Sequence, residues 1–243
     1  MRTRAAILTT CAAVALASAH IPARATSLYD YKAHEYRIVH DGLAPDKRLS
    51  ISAHGGRVDG YKGFHLYLMA EPSHRKIAVL DSIGPDNILD TGAEMYHAVG
   101  SPDSRHVAVI YRLSHQNLAM LLYEIRGRRL AMLPAPSLFS AVARPLTESS
   151  DGLDLKSNRV ALTWLSATTF VMKERQVFHV STHDLAQKLG AYGNETVDTY
   201  TKSVDADNKP VTWYFVDFSA EAVCRLIGDH GYRIVSVKPG RFD

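Results

Sequence analysis

Apolar residues in this chain recur at every second position far more often than at every third or fourth. Arg159-Val-Ala-Leu-Thr-Trp-Leu165 puts Val160, Leu162 and Trp164 on one face, and His106-Val-Ala-Val-Ile-Tyr111 puts Val107 and Val109 together. A period of two matches the pleat of a strand and cannot be satisfied by a helix. Phe64–Met69, Lys76–Leu80, Leu118–Ile125, Val177–Ser181, Thr212–Asp217 and Tyr232–Val237 extend the series. Each is short and rich in β-branched or aromatic residues. Gly55-Gly56, Pro72-Ser73, Gly84-Pro-Asp-Asn87, Ser114-His-Gln-Asn117 and Arg126-Gly-Arg128 separate the runs closely enough for meander connections.

Helical signals are few. Thr182-His-Asp-Leu-Ala-Gln-Lys-Leu-Gly190 carries a capping threonine, Asp184 in the first turn and a terminal glycine, which predicts one or two helical turns. Ala220 to Ile227 reads as a second short helix. Ala143–Ser157 and Gly193–Pro210 are polar, turn-rich stretches that read as long surface loops. The expected class is all-β: antiparallel meanders with one or two short helices.

The first 25 residues stand apart. A basic head, Met1-Arg-Thr-Arg4, precedes an apolar run from Ala5 to Ala17, and small residues follow at Ala17-Ser-Ala19 and Ala23-Arg-Ala25. That order is expected of a secretory signal peptide. The run is shorter than the roughly twenty residues a membrane span needs. Cys11 sits inside the run after Thr10, which argues against a lipid-modified cysteine. Cleavage after Ala19 or after Ala25 satisfies the spacing equally. The expected organisation is a leader over 1–25 and a single β-rich domain over 26–243, periplasmic or secreted, with no membrane span in the mature chain.

Removal of the leader changes the charge. The chain holds 28 basic and 25 acidic residues; Arg2, Arg4 and Arg24 all precede residue 26 and no acid does, so 25 of each remain. A neutral chain has no global field to attract nucleic acid or anionic lipid. One cysteine, Cys224, remains, so no intrachain disulfide is available, and it reads as a buried apolar thiol.

Ser101-Pro-Asp-Ser-Arg-His-Val-Ala-Val109 is a turn signal leading into a strand, since Pro102 presets φ and Ser101 can brace the turn. Pro45-Asp-Lys-Arg-Leu-Ser-Ile51 reads as the same design, shorter by one turn residue, with Lys47 matching Arg105 and with Leu49 and Ile51 matching Val107 and Val109. Trp164–Val171 reads as a third, degraded copy. These segments resemble the Ser-Pro-Asp-Gly-Lys motif of TolB-type β-propeller repeats, with Ser104 in place of the glycine. The resemblance implies blade-like repeats: a small or incomplete β-propeller, or open twisted sheets. It also implies a binding or scaffold role toward another protein of the cell envelope.

No motif assigns chemistry. His34, His40, His54, His65, His74, His97, His106, His115, His179, His183 and His230 read as scattered surface and strand-end residues. The one tight pair, His179 and His183, spans a strand-to-helix junction. There is no His-Glu-x-x-His run, no cysteine pair, no Gly-x-Ser-x-Gly elbow and no phosphate-cradling glycine loop. Asp103 reads as a turn stabiliser. Asp205-Ala-Asp-Asn208 opens like a calcium loop, but Pro210 occupies the position of its required glycine. Asn194-Glu-Thr196 has the form of a glycosylation sequon. Trp213 and Phe215 share a face opposite Tyr214 and read as core residues. No catalytic, cofactor-binding or metal-binding residue is assigned. The first functional reading is an exported non-catalytic binding or scaffold protein; the alternative is a periplasmic or secreted hydrolase with its site at the loop end of the sheets.

Overall fold

The computed structural model describes residues 26–56, 63–84, 88–142, 153–194, 199–204, 210–228 and 231–242. The leader and its two cleavage points lie outside these residues. The all-β expectation is borne out. Strands β1 (Arg37–Leu43), β2 (Leu49–His54), β3 (His65–Ala70) and β4 (Arg75–Val79) form one antiparallel meander. Strands β5 (Tyr96–Gly100), β6 (His106–Arg112), β7 (Leu118–Arg126) and β8 (Arg129–Leu133) form a second. The two join edge to edge through β1 and β5, which run parallel with a single register pair, His40 opposite His97. The resulting eight-stranded sheet has the order β4-β3-β2-β1-β5-β6-β7-β8. It curls until its outer edges approach, with Ser82 Oγ, just past β4, 3.1 Å from Met132 Sδ on β8. Of the forms expected, the structure takes the sheet form: two four-stranded meanders in one curled sheet.

The second sheet holds β9 (Leu153–Trp164), β10 (Thr169–Val180), β11 (Gly193–Asn194), β12 (Thr199–Val204), β13 (Pro210–Leu226) and β14 (Tyr232–Pro239). β13 is its spine. One side pairs with β10; the other pairs in succession with β12, β11 and β14. The two polar stretches expected as loops thus contribute the start of β9 and all of β11 and β12.

Two cores result. The interior of the curled sheet is filled by Val39, Ile51, Phe64, Leu66, Leu68, Tyr96, Val107 and Val109. The outer faces of β6 and β7, with Ala108, Ile110, Met120 and Leu122, pack on Val160, Leu162, Phe170, Met172, Val216 and Phe218 of the second sheet. Burial on both faces is why His106–Tyr111 reads as a nearly unbroken apolar run. Each fully buried Phe or Leu contributes about 1.5–3 kcal/mol, so this shared layer holds the sheets together. Trp164 adds a polar link, donating from Nε1 to Val99 O at 2.9 Å.

Two α-helices are present among the described residues. α1 (Leu138–Val142) was not signalled by the sequence, whereas α2 (His183–Gly190) follows Thr182 as expected. Thr182 Oγ1 accepts from Leu185 N–H at 3.4 Å, and Ala186 and Leu189 face the core. The second expected helix, Ala220–Ile227, is instead the end of β13. Ala220, Ala222, Cys224 and Leu226 are buried while Glu221, Val223 and Arg225 are not, a period of two that fits a strand. Among the described residues no helix is long and apolar enough to cross a membrane.

Cys224 is fully buried, and burial pushes its thiol up to about 11. We expect a thiol reagent to leave Cys224 unmodified in the native chain and to modify it once denaturant unfolds the sheet. Rapid labelling of Cys224 under native conditions would contradict that burial.

The two turns matched by sequence share one hydrogen-bond pattern. Ala44 N–H donates to Leu49 O at 2.9 Å, and Lys47 N–H to Ala44 O at 2.8 Å. Fifty-seven residues on, Ser101 N–H donates to His106 O and Ser104 N–H to Ser101 O, both at 2.8 Å. Arg48 N–H bonds Asp46 Oδ1 at 3.0 Å and Arg105 N–H bonds Asp103 Oδ1 at 3.2 Å. Lys47 and Ser104 both take left-handed backbone, with φ of 58° and 57°. The structure therefore aligns Lys47 with Ser104, not Arg105, and needs no deletion. The sequence match was drawn by apolar positions facing the same interior, Ile51 and Val109. The turn equivalent of Ile51 is Ala108, which faces the other core. Trp164–Val171, expected as a third copy, closes differently: Leu165 and Ser166 N–H both donate to Thr169 O, at 2.8 and 3.0 Å.

Candidate functional site

The seam between the meanders is where polar groups gather. In β1 the ladder is broken by a bulge. Between the pairs Ile38–Ser52 and Leu43–Ser50, β1 advances five residues and β2 two. Asp41 sits in this bulge with φ 52°, a backbone that Asp tolerates better than most residues. Gly42 follows because a Cβ there would lie 2.6 Å from Ile51 O. The odd register shift lets Val39 and Tyr96 both face the interior, although the hairpins beyond the seam present opposite faces to it. It also brings two consecutive polar side chains, His40 and Asp41, to the same place.

There they meet His97. Asp41 Oδ2 lies 3.1 Å from His40 Nδ1 and 3.1 Å from His97 Nε2. The two imidazoles cross edge to face with centroids 5.0 Å apart. The His97 side chain is 10% exposed, whereas those of His40 and Asp41 are 58% and 65% exposed. Burial holds His97 below the ordinary imidazole range, against the opposing pull of the Asp41 hydrogen bond and charge. The cluster thus has one seated imidazole and two donors facing solvent.

Asp41 also forms the rim of a shallow cleft beneath the two turns, lined in part by Gly42, Leu49, Ser50, Ala98, Ser104 and His106. It encloses about 290 Å³, including the part open to solvent. The turns touch above it: Asp46 N–H donates to Ser104 Oγ at 3.2 Å, and Gly100 leaves room for Pro45, whose Cδ would be 3.1 Å from a Cβ at 100. Ser50 Oγ donates to Glu71 Oε1 at 2.6 Å, so this buried hydroxyl is already engaged.

The structure separates the other candidates. His179 packs its ring on Phe215 at 5.9 Å and His183 on Tyr214 at 5.3 Å; these neighbours point to opposite faces of β13, so the two histidines do not converge. Tyr214 packs against the core, whereas Trp213 and Phe215 lie half-buried on the outer face. The expectation that Trp213 and Phe215 are core residues is corrected accordingly: the strand's inward positions there are even-numbered. Asp103 is the turn stabiliser expected of it. Burial opposes its charge, but Ser101 O–H at 2.6 Å and Arg105 N–H outweigh burial and hold the carboxyl low. Asp205–Asn208 and residues 195–196 of the sequon lie outside the described residues.

The reading of all the histidines as scattered is also corrected, for His40 and His97. Their separation is the same fifty-seven residues that relates the two turns, a signal present in the sequence. Asp41 had no such signal, because its place depends on the bulge. Scanned against family models, curated proteins and solved structures, the chain matches none.

Proposed function

We propose that the protein is an exported, non-catalytic binding or scaffold module of the cell envelope, and that it engages a partner protein through the free edge of β14. The observation that carries this reading is the edge itself. Among the described residues β14 pairs with β13 on one side only, and Val235 is 50% exposed. Unpaired strand edges accept an extended segment of another chain, with backbone hydrogen bonds supplying affinity. Arg233, Lys238 and Pro239 flank Ile234–Val237, of which Val235 and Ser236 are exposed and Ile234 and Val237 pack on the core. The likeness of the Ser101–Val109 turn to TolB-type repeats supports the same role.

The hydrolase reading has one observation in its favour, the convergence of His40, Asp41 and His97. Two of the three are more than half exposed, whereas electrostatic catalysis gains most from donors in a water-excluded site. The open arrangement suits ligand exchange better.

The test is retention of envelope proteins on the immobilised chain beside its Val235→Lys variant. A charge on an open edge blocks strand addition, and an exposed position tolerates it. A protein retained by the natural chain and reduced at least about tenfold by the variant supports the reading. Equal retention by both, or none by either, overturns it.

A further inference from the structure

We propose that His40, Asp41 and His97 form a binding site for a divalent transition-metal ion of the zinc class, which staples the parallel seam between the two meanders. The donor set is two imidazole nitrogens and one carboxylate oxygen. That set suits Zn²⁺ or Cu²⁺ and lacks the six or more oxygens that Ca²⁺ or Mg²⁺ demands.

The spacing fits. A tetrahedral ion held at about 2.0–2.1 Å from each donor places neighbouring donors roughly 3.3 Å apart. Asp41 Oδ2 is 3.1 Å from each imidazole nitrogen, and all three donor atoms lie within 4.8 Å of one another. The bulge is what makes this possible, because a regular strand would send His40 and Asp41 to opposite faces. His97 is fixed by burial in β5, while His40 and Asp41 stand open to solvent, which gives the ion an entry path and leaves a coordination position for water or a further ligand.

The site also lies on the seam where the two meanders join edge to edge. His40 and His97 are the one register pair joining β1 to β5. An ion bound to the folded seam and not to the unfolded chain adds stability by mass action. This inference is independent of the partner reading, since it concerns the opposite sheet.

Calorimetric titration of the metal-stripped chain with Zn²⁺ tests it. One equivalent is expected to bind, with a rise in melting temperature, and Mg²⁺ is expected to give neither. His40→Ala and Asp41→Asn, both at exposed positions, are expected to weaken Zn²⁺ binding at least tenfold while melting like the natural chain without metal. His74→Ala removes an exposed histidine that lies 3.4 Å from Glu71, and is expected to bind Zn²⁺ unchanged. No binding, binding equal in His40→Ala and Asp41→Asn, or equal loss in His74→Ala would show that Asp41 merely hydrogen-bonds two histidines, and would overturn the proposal.

Discussion

Arg112→Met is expected to destabilise the folded chain by about 3–5 kcal/mol, because it strands the Asp90 carboxylate in the interior. The pair is almost wholly buried, with side chains 3% and 2% exposed. Arg112 Nε donates to Asp90 Oδ2 at 2.8 Å and its Nη2 to Oδ1 at 2.6 Å, the two-pronged geometry that makes arginine–carboxylate pairs strong. Asp90 Oδ1 also accepts from Ser27 N–H at 2.7 Å. Ser27 and its neighbours are tied to the same loop: Thr91 N–H donates to Ser27 O, and Tyr31 O–H to Thr91 O, each at 2.9 Å. The loss should therefore reach residues 27–31, which become sensitive to limited proteolysis. The double variant Arg112→Met, Asp90→Asn carries no buried charge and is expected to recover more than half of the lost stability, because a well-formed buried pair and its neutral replacement are close in free energy. Urea unfolding of the three proteins gives the comparison. A loss below about 1 kcal/mol for the single variant would place the pair in solvent-like surroundings, where ion pairs contribute that little.

How much of this was legible in the sequence depends on whether one face of a strand stayed apolar. β3, β6 and β7 are buried against apolar neighbours along their length and showed themselves as alternating or continuous apolar runs. β10 showed only its two ends, in Trp164–Val171 and Val177–Ser181, because Lys173-Glu-Arg-Gln176 interrupts the pattern. Lys173 and Arg175 are on the outer face, paired with Glu221 and Asp217, whereas Glu174 and Gln176 point inward with the apolar residues. β1 and β5 were missed because the bulge breaks the period in one and the other is only five residues long. Their parallel pairing is a long-range property that no local pattern encodes. For the same reason the seam cluster was half visible: the repeated spacing relates His40 to His97, but it does not say that the two strands lie side by side.

Glu174, one of the residues that hid β10, is expected to contribute stability in mild acid that is lost toward neutral pH. Its side chain lies on the inward face of β10 against the start of α1, and the residue is 3% exposed. Oε2 accepts from Leu138 N–H at 2.5 Å and from Phe139 N–H at 3.4 Å, capping the start of α1, and Oε1 accepts from Gln176 Nε2. Burial raises its carboxyl above the ordinary glutamate value of 4.5, and the Leu138, Phe139 and Gln176 bonds only partly offset that. Below the unfolded value both states hold the proton and the stabilising contribution is complete. As pH rises above it the unfolded chain releases a proton that the native state retains. Stability then falls by up to about 1.36 kcal/mol per pH unit until the folded carboxyl also ionises. Glu174→Gln mimics the protonated group at every pH and keeps a carbonyl for the Leu138 N–H. Its unfolding free energy is expected to match the natural chain in mild acid and to exceed it by a growing margin toward neutrality. Glu174→Leu removes the acceptor altogether and leaves the Leu138 and Phe139 N–H groups unpaired, at a cost of about 1–3 kcal/mol in mild acid, where the natural carboxyl is neutral. A difference between Glu174→Gln and the natural chain that stays constant with pH would mean that the carboxyl titrates alike in both states; a growing one would place this buried proton among the groups that set the stability of the packing of α1 on β10.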